Sequence, residues 1–306
     1  MYLAKDFIET SEGLVFAVVE NDTEQGRVLC FLRYIGANGG WSKVNTERAN
    51  KLLQESHPDY IYYSSVRDAT LHAVFVDRVK VHHQPRIVLQ KLIKIDAVDA
   101  VQEDCQQLLG LYQQQGINLE HVGVTGSLLI GAQKAQSDID LVIYNRKTFM
   151  QIRSVTKNLI AADSVQALSI SDWQDSYHRR SCEISLDDYI WHEQRKVNKA
   201  LINGRKFDLG LLTVAAQSSI AYKKQGRVKF TAMVTGDEQS FDYPAVFQID
   251  HPQIAEIVCY TATYVGQALT GEAIEAAGLL EQSAQGQQRL IVGSSREAKG
   301  EYIKVC

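Results

Sequence analysis

The stretch HVGVTGSLLIGAQKAQSDIDLVIYN, residues 121–145, restricts the fold of this chain more than any other segment. Asp138 and Asp140 stand two apart in a run of strand composition, and a strand turns alternate side chains to the same face. Both carboxylates therefore share one face, while Ile139, Leu141 and Ile143 fill a core on the other. Upstream, Gly126 and Ser127 fall where a strand ending near Val124 gives way to a turn and helix over Gly126–Gly131. Backbone N–H groups, a helix dipole and the Ser127 hydroxyl can face a phosphate there, and Gly126 lets the phosphate come close. Paired carboxylates on one strand suit Mg²⁺, a hard cation that takes oxygen ligands and substrate phosphates.

A two-metal transfer needs a third acid from a neighbouring strand, and Asp208 is the candidate. In RKFDLGLL, residues 205–212, it shares a face with Lys206 and Gly210, with Phe207, Leu209 and Leu211 behind it. It would ligate the ion that lowers the pKa of the attacking hydroxyl, and accept the proton. Asp163, Glu183, Asp187 and Asp188 are the alternatives under another strand alignment.

The rest of the chain divides into three expected parts. Residues 1–96 read as a small α+β module, with strand-like segments at 14–20, 27–34, 59–65 and 71–79 and a helix over Asn45–Ser56. Residues 97–225 read as the catalytic domain with a mixed sheet: a helix over Ala97–Gln115, the 121–145 unit, an amphipathic helix near Arg146–Ala161, a charged helix over about Leu186–Ala200, and the 205–212 strand. Residues 226–306 read as a β-rich, barrel-like domain in which 271–282 is a strand despite its Ala and Glu content. The fold class expected is α/β (α+β).

With 22% charged residues and a net charge of −4, the chain is a folded globular protein without the basic surface that salt-driven binding to long nucleic acid needs. Its five cysteines are scattered and form no C-x-x-C pair, so neither a disulfide framework nor a zinc knuckle is expected. No apolar run approaches the roughly 20 residues of a membrane helix, and no apolar segment follows Lys5 and Asp6 as in a signal peptide. A cytoplasmic protein with no membrane partner is expected. His82-His83 before Pro85 reads as a strand end or loop without further zinc ligands, and His192 and Glu193 read as part of a solvated helix face.

Gly126-Ser127, ten intervening residues and Asp138-Ile139-Asp140 together resemble the signature of the polymerase-β nucleotidyltransferase superfamily. Within it the whole chain is similar to a group of predicted nucleotidyltransferases of archaea and some bacteria. In that group segments like DFIETSEGLVFAVV (6–19) precede the catalytic domain, and segments like IVCYTATYVGQALTGEAIEAAG (257–278) and IVGSSREAKGEYI (291–303) follow it. The resemblance implies transfer of a nucleoside monophosphate from an NTP such as ATP to an acceptor hydroxyl, with release of pyrophosphate. Two Mg²⁺ ions, replaceable by Mn²⁺, would sit on Asp138, Asp140 and Asp208. RNA such as tRNA is the first acceptor expected, with Arg296, Lys299 and Tyr302 as a candidate single-strand platform. A protein or small-molecule acceptor, or a non-catalytic nucleotide- or RNA-binding module, are the rival expectations. Many small members carry a basic residue after the Gly-Ser pair, where this chain has Leu128-Leu129-Ile130. Lys134, Arg179, Arg180, Arg195 and Lys196 are the bases available for the triphosphate, with Lys134, Arg195 and Lys196 joining Gly126 and Ser127 as the nucleotide-binding set.

Overall fold

Seven short strands rich in Val, Ile, Phe and Tyr open the chain: β1 (Phe7–Thr10), β2 (Leu14–Val18), β3 (Arg27–Ala37), β4 (Gly40–Lys43), β5 (Ile61–Ser64), β6 (Ala69–Phe75) and β7 (Val79–His83). They pair in the order β5-β6-β3-β2-β1-β7, with β4 on β3. Helix α1 (Thr46–Ser56) begins at Asn45, whose side chain accepts a hydrogen bond from the Arg48 N–H, and its Ala49 and Leu53 share a core with Phe16 and Leu32 of this sheet and with Tyr60 just before β5. Helix α2 (Pro85–Leu92) starts on Pro85, whose fixed φ and missing N–H suit a first helical turn. The computed structural model describes residues 1–37, 39–180, 182–214, 220–295 and 298–306.

Helix α3 (Ala100–Gln114) is capped by the Asp99 carboxylate, which accepts from the Val101 and Gln102 N–H groups. Strand β8 (Val122–Thr125), strand β9 (Ile139–Ile143) and helix α4 (Arg146–Ala161) follow. Next come α5 (Ile170–His178) and α6 (Leu186–Lys196), then β10 (Lys199–Ile202) and β11 (Arg205–Leu211), joined by Asn203 and Gly204 at φ 50° and 77° in a tight hairpin turn. The second sheet runs β10-β11-β9-β8, with β9 parallel to β11 and antiparallel to β8. Helices α3 and α4 are joined through a buried hydrogen bond of 2.8 Å between the Tyr112 and Thr156 hydroxyls.

The third sheet contains β12 (Tyr222–Gln239), β13 (Ala245–Asp250), β14 (Ile254–Cys259), β15 (Ala273–Ser283), β16 (Gln288–Val292) and β17 (Tyr302–Val305). Its order is β12-β13-β14-β16-β15-β17, and β12 also pairs with β15, so five strands close a ring that hides their edges. The 273–283 segment is a strand, as expected against its Ala and Glu content. The sheets and helices make a mixed α+β protein.

The contacts group the chain differently from the three expected parts. One compact unit combines Met1–Ser65, Ala69–Gln166 and β11, so the N-terminal module and the β8–β11 sheet belong together. The other combines Val66–Asp68, Ala167–Lys199 and the β12–β17 sheet. Helices α5 and α6 leave the 97–225 grouping because their interior partners are each other and the third sheet: Trp173 and Tyr177 meet Tyr189, and Lys196 donates to the Thr263 carbonyl at 2.8 Å. Helices α2 and α5 were not anticipated. Their local signals are the Pro85 start and the reciprocal Ser169–Asp172 capping box. Among the described residues no helix is long and apolar enough to cross a membrane.

Helix α2 lies directly against β8 because Gly123 has no side chain. A Cβ there would come 2.6 Å from Pro85 Cβ and 2.9 Å from the Arg86 nitrogen. Gly123→Ala should lower unfolding free energy by about 1–3 kcal/mol through overpacking, read from urea denaturation of parent and variant.

Candidate functional site

Parallel pairing of β9 with β11 sets Asp140 opposite Asp208. Asp138 immediately precedes β9 and is paired with Lys206 of β11, Nζ to Oδ2 at 3.0 Å. The core-facing partners are Ile139, Leu141, Phe207 and Leu209, all buried. Thr125, the last residue of β8, lies opposite Asp140 on the other side. Gly126 follows at φ 67°, and a Cβ on it would run into Asp140 Oδ2. Glycine is thus required both for the left-handed turn and for the room the carboxylate occupies.

The loop that delivers Asp138 is clamped by Arg205, which sequence reasoning did not single out. Its Nη1 donates to the carbonyls of Ala135 and Ser137, each at 2.8 Å, and its Nε to Asp104 of α3 at 2.6 Å. Charge pairing with Asp104 fixes the guanidinium, and the guanidinium fixes the loop.

Burial pushes the Asp140 carboxyl up to about 6 from its ordinary 3.8, and the adjacent Asp208 and Asp138 push the same way; Lys206 and Lys5 oppose them. Asp208 Oδ1 is buried without a hydrogen-bond partner. An orphaned carboxylate oxygen beside two further carboxylates is a donor set of hard oxygens, which fits a divalent cation such as Mg²⁺. The three acids do not form a closed ligand set as they stand: among the described residues no group of three His, Cys, Asp or Glu side chains is gathered to hold a metal. Lys206, seated on Asp138, supplies positive charge there instead.

The segment after Gly126 departs from expectation. In place of a helix, Leu128–Ile130 form a single 3-10 turn, closed at Gly131 with φ 66°. Left-handed glycines at both ends stop propagation, so no helix dipole develops and the backbone N–H groups of the turn are what remains. Ser127 stands at the head of this turn, with no hydrogen bond from its hydroxyl to the turn's backbone. Leu129 is buried against Phe7, Val15 and Tyr34 of the first sheet, with Ile130 packed beside them. The same contact brings Lys5 close: its carbonyl accepts the Thr125 hydroxyl at 2.8 Å. Burial lowers the Lys5 ammonium pKa, Asp140 raises it and Arg33 lowers it further.

Of the bases expected at the triphosphate, Lys134 is exposed on the loop between the Gly-Ser turn and Asp138. Arg195 and Lys196 belong to the second unit. Arg195 pairs with Glu272 at 2.5 Å, and Lys196 is buried on Glu193 at 2.6 Å. The expected solvated face of α6 is therefore a buried one: His192, Glu193 and Lys196 are almost fully covered, and Trp191 is what faces outward. Burial alone would raise the Glu193 carboxyl, but Lys196, Lys199 and Arg180 outweigh it and hold it well below the usual carboxylate range. The alternative acids Glu183, Asp187 and Asp188 are also in the second unit, and Asp163 is exposed just after α4. His82 and His83 end β7, each paired to an acid, Asp6 at 2.7 Å and Glu9 at 3.5 Å. In the expected single-strand platform, the Tyr302 hydroxyl donates to Glu275 and Lys229 lies over its ring, while Arg296 lies outside the described residues.

The chain is 30% identical, over 334 aligned positions, to the uncharacterized protein MJ1086 of Methanocaldococcus jannaschii, an alignment that covers 98% of each. No family model matches the chain. No solved structure matches it either.

Two outcomes follow from these contacts. Arg205→Ala should loosen the 135–138 loop and leave the largely buried Asp104 without its ion-pair partner, with only Asn203 among the described residues still donating to it, costing about 3–5 kcal/mol of stability by denaturant titration. Glu193 contributes stability that is present above its unfolded value of 4.5 and lost as pH falls through 4.5 towards its depressed folded value. Glu193→Gln should therefore be less stable than the parent near neutrality, and its urea midpoint should change less between about pH 6 and about pH 3.

Proposed function

We propose that this chain, which belongs to the same family as the uncharacterized protein MJ1086 of Methanocaldococcus jannaschii, is a divalent-metal-dependent nucleotidyltransferase of the polymerase-β type. The observation that carries this is the side-by-side seating of Asp140 and Asp208 next to Asp138, beside the Gly126 turn. Asp138, Asp140 and Asp208 would hold Mg²⁺, or Mn²⁺ in its place, with Asp138 exchanging Lys206 for the ion. When bound, the metal neutralises phosphate charge and lowers the pKa of the attacking hydroxyl.

The chain's own residues then divide the work. The backbone of the Gly126–Gly131 turn and the Ser127 hydroxyl orient the phosphates of the NTP. Asp208, with its unpartnered Oδ1, accepts the proton of the acceptor hydroxyl. The hydroxyl oxygen forms a bond to the α-phosphorus, the bond from that phosphorus to the bridging oxygen breaks, and pyrophosphate leaves with the electron pair. Lys134, exposed on the adjoining loop, is available to the leaving group. RNA is the acceptor class we name first. A protein or small-molecule acceptor would use the same chemistry.

The Lys206–Asp138 pair favours one rival, a module that holds nucleotide without transferring it. Incubating the parent with each of four labelled NTPs, total RNA and a cell lysate separates the two. Transfer of label is expected, and Asp140→Asn or Asp208→Asn should lower it by at least ~10³-fold. Equal labelling by parent and variants would refute the enzyme and leave the binding module.

A further inference from the structure

Where many small members of the superfamily that this chain resembles carry a basic residue after the Gly-Ser pair, this chain has Leu128-Leu129-Ile130, and these residues do something else. Leu129 and Ile130 anchor the first sheet to the turn through Phe7, Val15 and Tyr34. That docking carries two cations with it. Lys5 adopts φ 75°, a conformation a lysine seldom takes and glycine would take more cheaply. Its backbone is held on both sides: its N–H donates to the Val18 carbonyl at 3.0 Å, and its carbonyl accepts from Thr125 at 2.8 Å. Thr125 is the register partner of Asp140, so Lys5 is fixed within a residue of Gly126 and across from the carboxylates. Backbone strain held in place at such a point is the kind that persists where a side chain must be aimed.

Arg33, on β3 next to the buried Tyr34, is the second cation. It is only partly exposed, and its guanidinium makes no hydrogen bond or ion pair among the described residues. It interacts electrostatically with Lys5, and both Lys5 and Tyr34 interact with Asp140, which puts the four groups in one neighbourhood. Two positive groups next to each other repel unless an anion joins them. A partly desolvated guanidinium with its donors unsatisfied suits a polyphosphate, which it can grip through two N–H groups at once.

We propose that Lys5 and Arg33 form the clamp for the polyphosphate tail of the nucleoside triphosphate, so that the N-terminal module is part of the nucleotide site. The inference rests on the nucleotidyltransferase reading and supplies the base that the Gly-Ser turn lacks. It also assigns a task to the first sheet, which brings its cations to the turn through the apolar residues that replaced the missing base. The Lys5 ammonium offsets Asp140 before nucleotide arrives and turns to the phosphates when it does.

The test is binding of inorganic tripolyphosphate to the full chain by calorimetry, with NTP transfer measured in parallel. Arg33→Gln and Lys5→Gln should each weaken tripolyphosphate binding at least ~10-fold and raise the KM for NTP, while Arg33→Lys keeps part of the affinity. Arg33 is partly exposed, so its variant folds as the parent does, and a matching thermal midpoint checks this. Unchanged tripolyphosphate affinity in Arg33→Gln and Lys5→Gln would overturn the clamp. If those variants transfer with the parental KM while Asp140→Asn is inactive, the clamp fails and the enzyme stands. If the parent transfers nothing yet loses tripolyphosphate on Arg33→Gln, the clamp stands as an anion site and the enzyme fails.

Discussion

Parallel pairing of β9 and β11 seats Asp140 against Asp208, and the surroundings of the site follow from the electrostatics of that arrangement. Two carboxylates side by side, with a third two residues away along the strand, repel in a partly dehydrated place. The rise of Asp140 from 3.8 to about 6 corresponds to a penalty on the order of 3 kcal/mol. That figure is what is left after Lys206 and Lys5 have offset part of the desolvation and repulsion. The remainder is carried by the apolar backing of the same strands, since Ile139, Leu141, Phe207 and Leu209 each contribute about 1.5–3 kcal/mol by burial. The sheet is stable enough to hold its acids in a configuration that favours a cation.

The first sheet joins that site through a second constraint. Gly126 must be glycine because the Asp140 carboxylate fills the space of its Cβ, and the following turn must be short because Gly131 closes it. A short turn leaves Leu129 and Ile130 projecting, and they are covered by Phe7, Val15 and Tyr34. Lys5 arrives with that cover. The N-terminal residues and the carboxylate strands are thus one packing unit although more than a hundred residues separate Lys5 from Asp140.

Helix α6 follows a different physical logic. Its Glu193 is buried between Lys196 and Lys199, an arrangement stable only while all the partners are present, because each charge has given up its water. From the sequence these charges look like a solvated face, since Glu, Arg and Lys at helical spacing are far more often outside than inside. Nothing local distinguishes the two cases. The partners of Lys196 include a carbonyl 67 residues away, and the sheet around that carbonyl makes the burial tolerable.

What the sequence determined by itself was whatever depends on near neighbours. The two-residue period of a strand put Asp138 and Asp140 together and Phe207 and Leu209 behind Asp208. Helices α1, α3 and α4 could be read from apolar spacing and helix-forming composition, and the β-rich tail from its Gly-punctuated short strands. Missed signals such as Pro85, the Ser169–Asp172 box and the Asn203-Gly204 hairpin were also local. Tertiary structure decided the register of β11 on β9, the shortening of the Gly126 helix to one turn, the burial of the α6 charges and the arrival of Lys5. Each of these depends on groups distant along the chain sharing space and charge, and a one-dimensional pattern does not encode that proximity.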